Sequence, residues 1–120
     1  GMDGEVTPAE LSELRDSEDP RIIDIRSPVA FDRSHIPGSE NIPFPELSGR
    51  IEELNGTDRI VTVCPHGKSS VQAARLIDSY EGASGRVESL ESGLTGWEQA
   101  GYELESSGPS DEGPSAEPPF

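Results

Sequence analysis

The chain has a single cysteine and a single lysine, Cys64 and Lys68, and they stand within the same short stretch. One cysteine excludes an internal disulfide, and without any Cys/His cluster there is no reason to expect a bound metal. No run approaches the roughly 18 apolar residues of a membrane helix. No basic segment followed by an apolar core opens the sequence, and Gly1 ahead of Met2 reads as an expression scar. A cytoplasmic protein without membrane partner, metal or cofactor is therefore the expectation.

Positive charge is scarce as well. Lys+Arg 9 against Asp+Glu 24 gives a formal net charge of −15. A field of that sign repels phosphates, which excludes nucleic acid as an expected partner. The acidity has two readings, an acidic interaction surface or adaptation to a high-salt interior, where the Debye length falls to about 3 Å at molar salt. Acids spread along the whole chain, together with the near-absence of lysine, favour the second.

What is present fits one domain with a modest core. Thr7, Pro8 and Glu10 form a helix start with a capping box, and Val6 and Leu11 stand at its staple positions. Arg21–Arg26 reads as a strand, and Ser27-Pro28 starts a short helix through about Arg33. His35–Ser39 reads as loop, and Glu40–Pro43 as a brief strand. Phe44, Leu47, Ile51 and Leu54 recur at helical spacing until Asn55-Gly56 stops them. A strand ends at Cys64, a helix follows from Val71 to Tyr80, and Arg86–Leu90 is a further strand. A last helix spans Leu94 to Ala100, with Trp97 as a core residue. The alternation predicts an α/β protein with a parallel sheet covered on both faces. Residues 1–4 are expected to be disordered, 5–104 to form the domain, and 105–120 to be a disordered acidic Ser/Gly/Pro tail.

Cys64 is the principal candidate site. It lies where the run Ile60-Val61-Thr62-Val63 meets Pro65-His66-Gly67-Lys68-Ser69-Ser70 and then a helix. A thiol at such a junction meets backbone N–H groups that have no intrahelical partners. Those donors, the helix dipole and Lys68 favour the thiolate and would also receive an anionic substrate. Gly67 lets the backbone curl so that N–H groups converge, Ser69 and Ser70 add hydroxyl donors, and Pro65 stiffens the first step out of the strand. His66 can assist electrostatically. A buried inert cysteine is the ordinary reading of a lone cysteine after an apolar run, and the Gly-Lys-Ser-Ser continuation argues against it. A phosphatase loop requires arginine where Ser70 stands, and a P-loop requires a glycine near Val63; neither is present.

Three stretches together give a family resemblance over Val6 to Tyr102. They are Asp24-Ile25-Arg26 with Phe31, Ser34–Ser39 and Asn41-Ile42-Pro43; Cys64 through Ser70; and Leu90–Trp97 with Gly101-Tyr102. In this order and spacing the chain resembles a single-domain rhodanese, a sulfurtransferase. The resemblance implies a three-layer α/β/α domain with a five-stranded parallel sheet. It also implies a Cys64 persulfide that carries sulfane sulfur from a small anionic donor, such as thiosulfate, to a thiol or sulfur-carrier acceptor. The chain departs from the family pattern at Ser69, where many loops carry arginine, and at Ser34, where glycine is usual.

Asp24 and Arg26, near the ligand edge of the sheet, are candidates for a salt bridge or loop clamp ahead of substrate contact. His35 is read as a loop histidine bonded to backbone ahead of a catalytic one. The alternative function is a non-catalytic or redox-sensing rhodanese-like module, since an exposed low-pKa thiol oxidises readily. Salt adaptation makes its own prediction: the melting temperature should rise from low salt to molar KCl. Equal or greater stability in low salt would remove that reading of the charge.

Overall fold

A computed structural model describes residues 4–107 of the chain. Glu5–Val6 forms β1, Pro8–Ser17 α1, Arg21–Asp24 β2, Pro28–Arg33 α2, Glu40–Asn41 β3 and Phe44–Leu47 α3. A 3-10 segment, Ser48–Leu54, leads to β4 (Arg59–Val63), α4 (Ser69–Asp78), β5 (Arg86–Leu90) and α5 (Gly93–Gln99). The strands make one five-stranded sheet in the order β1-β5-β4-β2-β3, and every pairing is parallel. β4 is therefore central, flanked by β5 and β2.

Local chemistry sets the helix starts. The Thr7 side chain accepts from the Glu10 N–H at 3.1 Å while Glu10 accepts from the Thr7 N–H at 2.8 Å, and Pro8 fills the first turn, where no donor is needed. Ser27 caps α2 in the same way through the Ala30 N–H at 3.2 Å.

Strand alternation then sorts side chains into two cores. Ile60 and Cys64 of the central segment, with Ile23, Ile25 and Val87, pack under α3, the 3-10 segment and α4. Val61 and Val63, with Ile22 and Leu90, face Leu11 and Leu14 of α1 and Leu94 and Trp97 of α5. These are the three layers α/β/α.

The sequence reading lacks one strand and differs at one helix. The two-residue β1 has no internal periodicity, and Val6 is in it because Val6 and Leu90 are register partners on adjacent strands. The helix expected over Phe44–Leu54 is α-helical only to Leu47 and then tightens to 3-10 geometry through Ser48 and Gly49, both weak helix formers. Leu47 and Leu54 still point inward, because either helix type returns to one face after three or four residues.

Backbone hydrogen bonds reach residues just outside the expected domain limits at 5 and 104. The Gly4 carbonyl accepts from the Ser89 N–H at 3.1 Å, and His35 and Glu105 exchange backbone hydrogen bonds of 2.9 Å in an antiparallel bridge. Backbone pairing thus holds residues whose side chains bury little. The remaining expectations for the two ends, residues 1–3 and 108–120, lie outside the described residues. Among the described residues no helix is long and apolar enough to cross a membrane.

Trp97 is fully buried, and its indole N–H donates to the Glu103 carbonyl at 2.8 Å, which ties the chain after α5 to the helix itself. Trp97→Ala should lower the unfolding free energy by about 3–5 kcal/mol in urea titrations. Trp97→Phe, which keeps a ring in the core but loses that hydrogen bond, should cost clearly less. Equal losses for the two variants would show that packing does not dominate at this position.

Candidate active site

Cys64 is the first residue after β4, at the carboxyl edge of the central strand, and it is only 1% exposed. The segment from Pro65 to Lys68 curls back over it before α4 begins at Ser69. Gly67 makes the curl possible. Its φ is +84°, and a Cβ there would lie 2.7 Å from the Ser92 backbone nitrogen. The Gly67 N–H consequently points at the sulfur and donates to Cys64 Sγ at 3.1 Å.

A second hydrogen-bond partner comes from the first turn of α4. Ser70 Oγ lies 3.2 Å from Sγ and 2.7 Å from Ser89 Oγ of β5. Ser70 and Ser89 are completely buried. Thr62, the register partner of Ser89, donates its hydroxyl proton to the Ser70 carbonyl at 2.7 Å and so fixes the start of α4 against the sheet. Burial alone pushes the Cys64 thiol up. The hydroxyls of Ser70 and Ser69 and the backbone N–H groups of Ser70 and His66 oppose it, and together they hold the thiol below its ordinary value.

The turn after β5 braces this loop from the other side. Leu94 N–H donates to the Cys64 carbonyl at 2.9 Å and Thr95 N–H to the Pro65 carbonyl at 3.0 Å. The approach is close enough that Gly93, with φ +62°, has no room for a Cβ against the Cys64 carbonyl. Thr95 Oγ1 also lies 3.3 Å from His66 Nδ1, within hydrogen-bond reach.

An open cleft adjoins the sulfur. Ile25, Ala30, Phe44 and Pro65 give it apolar walls, while Arg26, Ser27 and Ser69 supply polar groups beside Cys64. Of the sequence candidates, the structure brings Cys64, Pro65, Ser69 and Arg26 together in this cleft. Gly67 and Ser70 lie behind the sulfur as its hydrogen-bond partners. His66 and Lys68 are exposed on the loop, and neither lines the cleft. The cation lining the cleft is Arg26, separated in sequence from the Cys64 loop's own lysine by α2, β3, α3, the 3-10 segment and β4.

Arg26 forms a two-point ion pair with buried Asp24, the shortest contact being 2.8 Å, and donates to the Ser34 carbonyl at 2.6 Å. That ties the segment following β2 to the end of α2. His35 stacks on Phe31 with ring centroids 3.8 Å apart, places Nδ1 2.7 Å from the Phe31 carbonyl, and meets the Glu105 carboxylate at 3.2 Å. Its described partners do not include the Cys64 loop. No grouping of three or more His, Cys, Asp or Glu among the described residues is arranged to hold a metal ion.

Sequence reasoning did not find Ser89, Thr62, Thr95, Gly93 or the apolar cleft wall. The signal for the first two was weak but present: hydroxyls on a strand face that is otherwise apolar.

Comparison with known proteins agrees with this architecture. The chain is 38% identical over 92 residues to the thiosulfate sulfurtransferase GlpE of Pseudoalteromonas translucida, covering 77% of this chain and 86% of that protein. It is 33% identical over 104 residues to an HTH-type transcriptional regulator of Mycobacterium tuberculosis, covering 87% of this chain but only 46% of the regulator. Among solved structures, a rhodanese-related protein from Thermoplasma volcanium has the same fold, with a TM-score of 0.74 at 24% identity over 84% of this chain and 96% of that one. Residues 7–100 match the Rhodanese-like domain, and with most of its length inside that match the chain belongs to the rhodanese family.

Proposed function

We propose that the protein is a sulfurtransferase that moves sulfane sulfur from a small anionic donor, of which thiosulfate is the simplest, to a thiophilic acceptor through a persulfide on Cys64. The observation that carries this reading is the sulfur itself. It sits at the end of the central strand, receives the Gly67 N–H, adjoins the Ser70 hydroxyl, and borders an open cleft. The similarity to a thiosulfate sulfurtransferase supports the same reaction class.

In the first half-reaction the Cys64 thiolate attacks the outer sulfur of thiosulfate. A sulfur–sulfur bond forms at Sγ, the bond to the sulfonate sulfur breaks, and its electron pair departs with sulfite. In the second, cyanide, a thiolate or a sulfur-carrier protein attacks the outer sulfur of the persulfide, and the electron pair of the breaking bond returns to Sγ. No external oxidant or reductant is needed.

Each loop residue has a part in this reading. Pro65 and Gly67 shape the curl, and the backbone N–H groups of the loop with the Ser69 and Ser70 hydroxyls hold the anionic sulfur. Lys68, exposed at the rim beside His66, adds positive potential for an approaching anion against a protein charge of −15. Arg26, lining the cleft, is placed for the sulfonate, with Asp24 fixing its orientation; His35 supports the α2 side of the cleft through Phe31. A depressed thiol pKa suits the chemistry, because attack needs thiolate while a very low pKa would blunt its nucleophilicity.

The similarity to a transcriptional regulator favours one second reading, in which the same reactive thiol serves as a sensor in a binding module. Turnover separates the two. With thiosulfate and cyanide in molar KCl, the intact protein should form thiocyanate with ping-pong kinetics, and Cys64→Ser should form none. The acid limb of the thiosulfate half-reaction should lie below the ordinary thiol range, and Ser70→Ala should move it upward in pH. A folded protein that alkylates stoichiometrically at Cys64 yet never turns over any sulfur donor would favour the sensor.

A further inference from the structure

The strand face beneath α4 is apolar except next to the sulfur. On β4 and β5 the residues facing α4 are Ile60, Thr62 and Cys64, and Val87 and Ser89. Thr62 and Ser89 are register partners, and both are completely buried. A buried hydroxyl costs stability unless it is hydrogen-bonded, and alanine or valine would fill either position at no such cost. Thr62 is accounted for, because its single proton goes to the Ser70 carbonyl at 2.7 Å. Ser89 holds nothing of the backbone through its hydroxyl in the described contacts; its oxygen faces Ser70 Oγ at 2.7 Å, and Ser70 Oγ in turn faces Cys64 Sγ at 3.2 Å.

We propose that Ser89 is a positioning residue for the sulfur-transfer site: it donates its hydroxyl proton to Ser70 Oγ, which commits the Ser70 proton to the Cys64 thiolate. The inference rests on the sulfurtransferase reading for its purpose, but its geometry is independent of any substrate. A hydroxyl has one proton. If Ser70 gives it to Ser89, none is left for the sulfur. When Sγ is protonated, the thiol can donate to Ser70 and Ser70 to Ser89. When Sγ is anionic, the chain runs the other way, from Ser89 to Ser70 to sulfur, and each bond polarises the next.

Ser89 is thus the group that lets the chain reverse. It serves the sulfur twice in each cycle, as attacking thiolate and again as the thiolate released when the acceptor takes the outer sulfur. The ionisable groups nearest Cys64 are His66 and Lys68 on the loop and the Arg26–Asp24 pair at the end of β2. Glu88, next to Ser89 in sequence, faces away and is paired with Arg59 and Arg86.

The test is the ultraviolet absorbance of the thiolate as a function of pH. With one cysteine in the chain, subtracting the Cys64→Ser protein removes every other contribution. Ser89→Ala should raise the inflection by about half a pH unit, about a threefold loss of thiolate on the acid side of the curve. Ser89→Thr, which keeps the hydroxyl, should stay near the parent value. In a Ser70→Ala background, Ser89→Ala should add nothing, because its effect passes through Ser70.

An unmoved inflection in Ser89→Ala overturns the proposal, as do Ser70 and Ser89 shifts that simply add. A role limited to packing would lower the melting temperature and leave the inflection in place, in Ser89→Thr as well as in Ser89→Ala. Because no sulfur donor enters the titration, its result is separate from thiocyanate formation. The relay can fail while sulfur transfer stands, and the reverse can also be read.

Discussion

The Cys64 sulfur lies where ionisation is costly, buried at the carboxyl end of the central strand of a sheet covered on both faces. Burial opposes the anion, and only converging donors offset that cost. Much of the surrounding structure follows from this requirement. Gly67 adopts a positive φ so that its N–H meets the sulfur. Gly93 leaves out a side chain so that the turn after β5 can brace the Cys64 carbonyl, and Thr62 holds the first turn of α4 so that Ser70 stays in place. Donors held by the fold in this way stabilise charge without reorganising.

The two sides of the sheet divide the labour. The α1 and α5 side is a conventional core built on Leu11, Val61, Leu90 and Trp97. The α4 side carries the hydroxyls and the sulfur, and is correspondingly less apolar near the carboxyl edge. That edge is where ligands meet open α/β sheets in general, since strand ends and helix starts bring backbone donors together there. The cleft takes its charge from a different quarter. Arg26 reaches it from the segment after β2, oriented by Asp24, so the polar groups of the cleft come from the ends of two neighbouring strands.

The same domain occurs in proteins of different organisation. One relative is a sulfurtransferase of nearly this length, and another is a regulator in which the matched region is less than half of the chain. A polarised thiol beside an open cleft suits either setting, because group transfer and oxidation both begin from the thiolate. What separates them is whether the second half-reaction has an acceptor that reaches the cleft.

Much of this was legible in the residues themselves. Thr7-Pro8 with Glu10 and Ser27-Pro28 specify helix starts through purely local hydrogen bonds, so α1 and α2 begin where the sequence says. The Ile-Val-Thr-Val run, the turn residues after Cys64 and the alternation of strands with helices specify a parallel α/β sheet and a thiol at its edge. Residues that act at a distance were not legible. β1 is two residues long and exists only because β5 offers it a partner, and Glu105 is held by a bridge to His35, 70 residues away. Arg26 was a candidate at the ligand edge, but that it and not Lys68 lines the cleft, and that Ser89 reaches the sulfur through Ser70, follows from strand order and register. Local hydrogen bonds and periodicity are written within a few residues of where they act; strand order and register are set by the packing of the whole chain, and only the tertiary structure decided those.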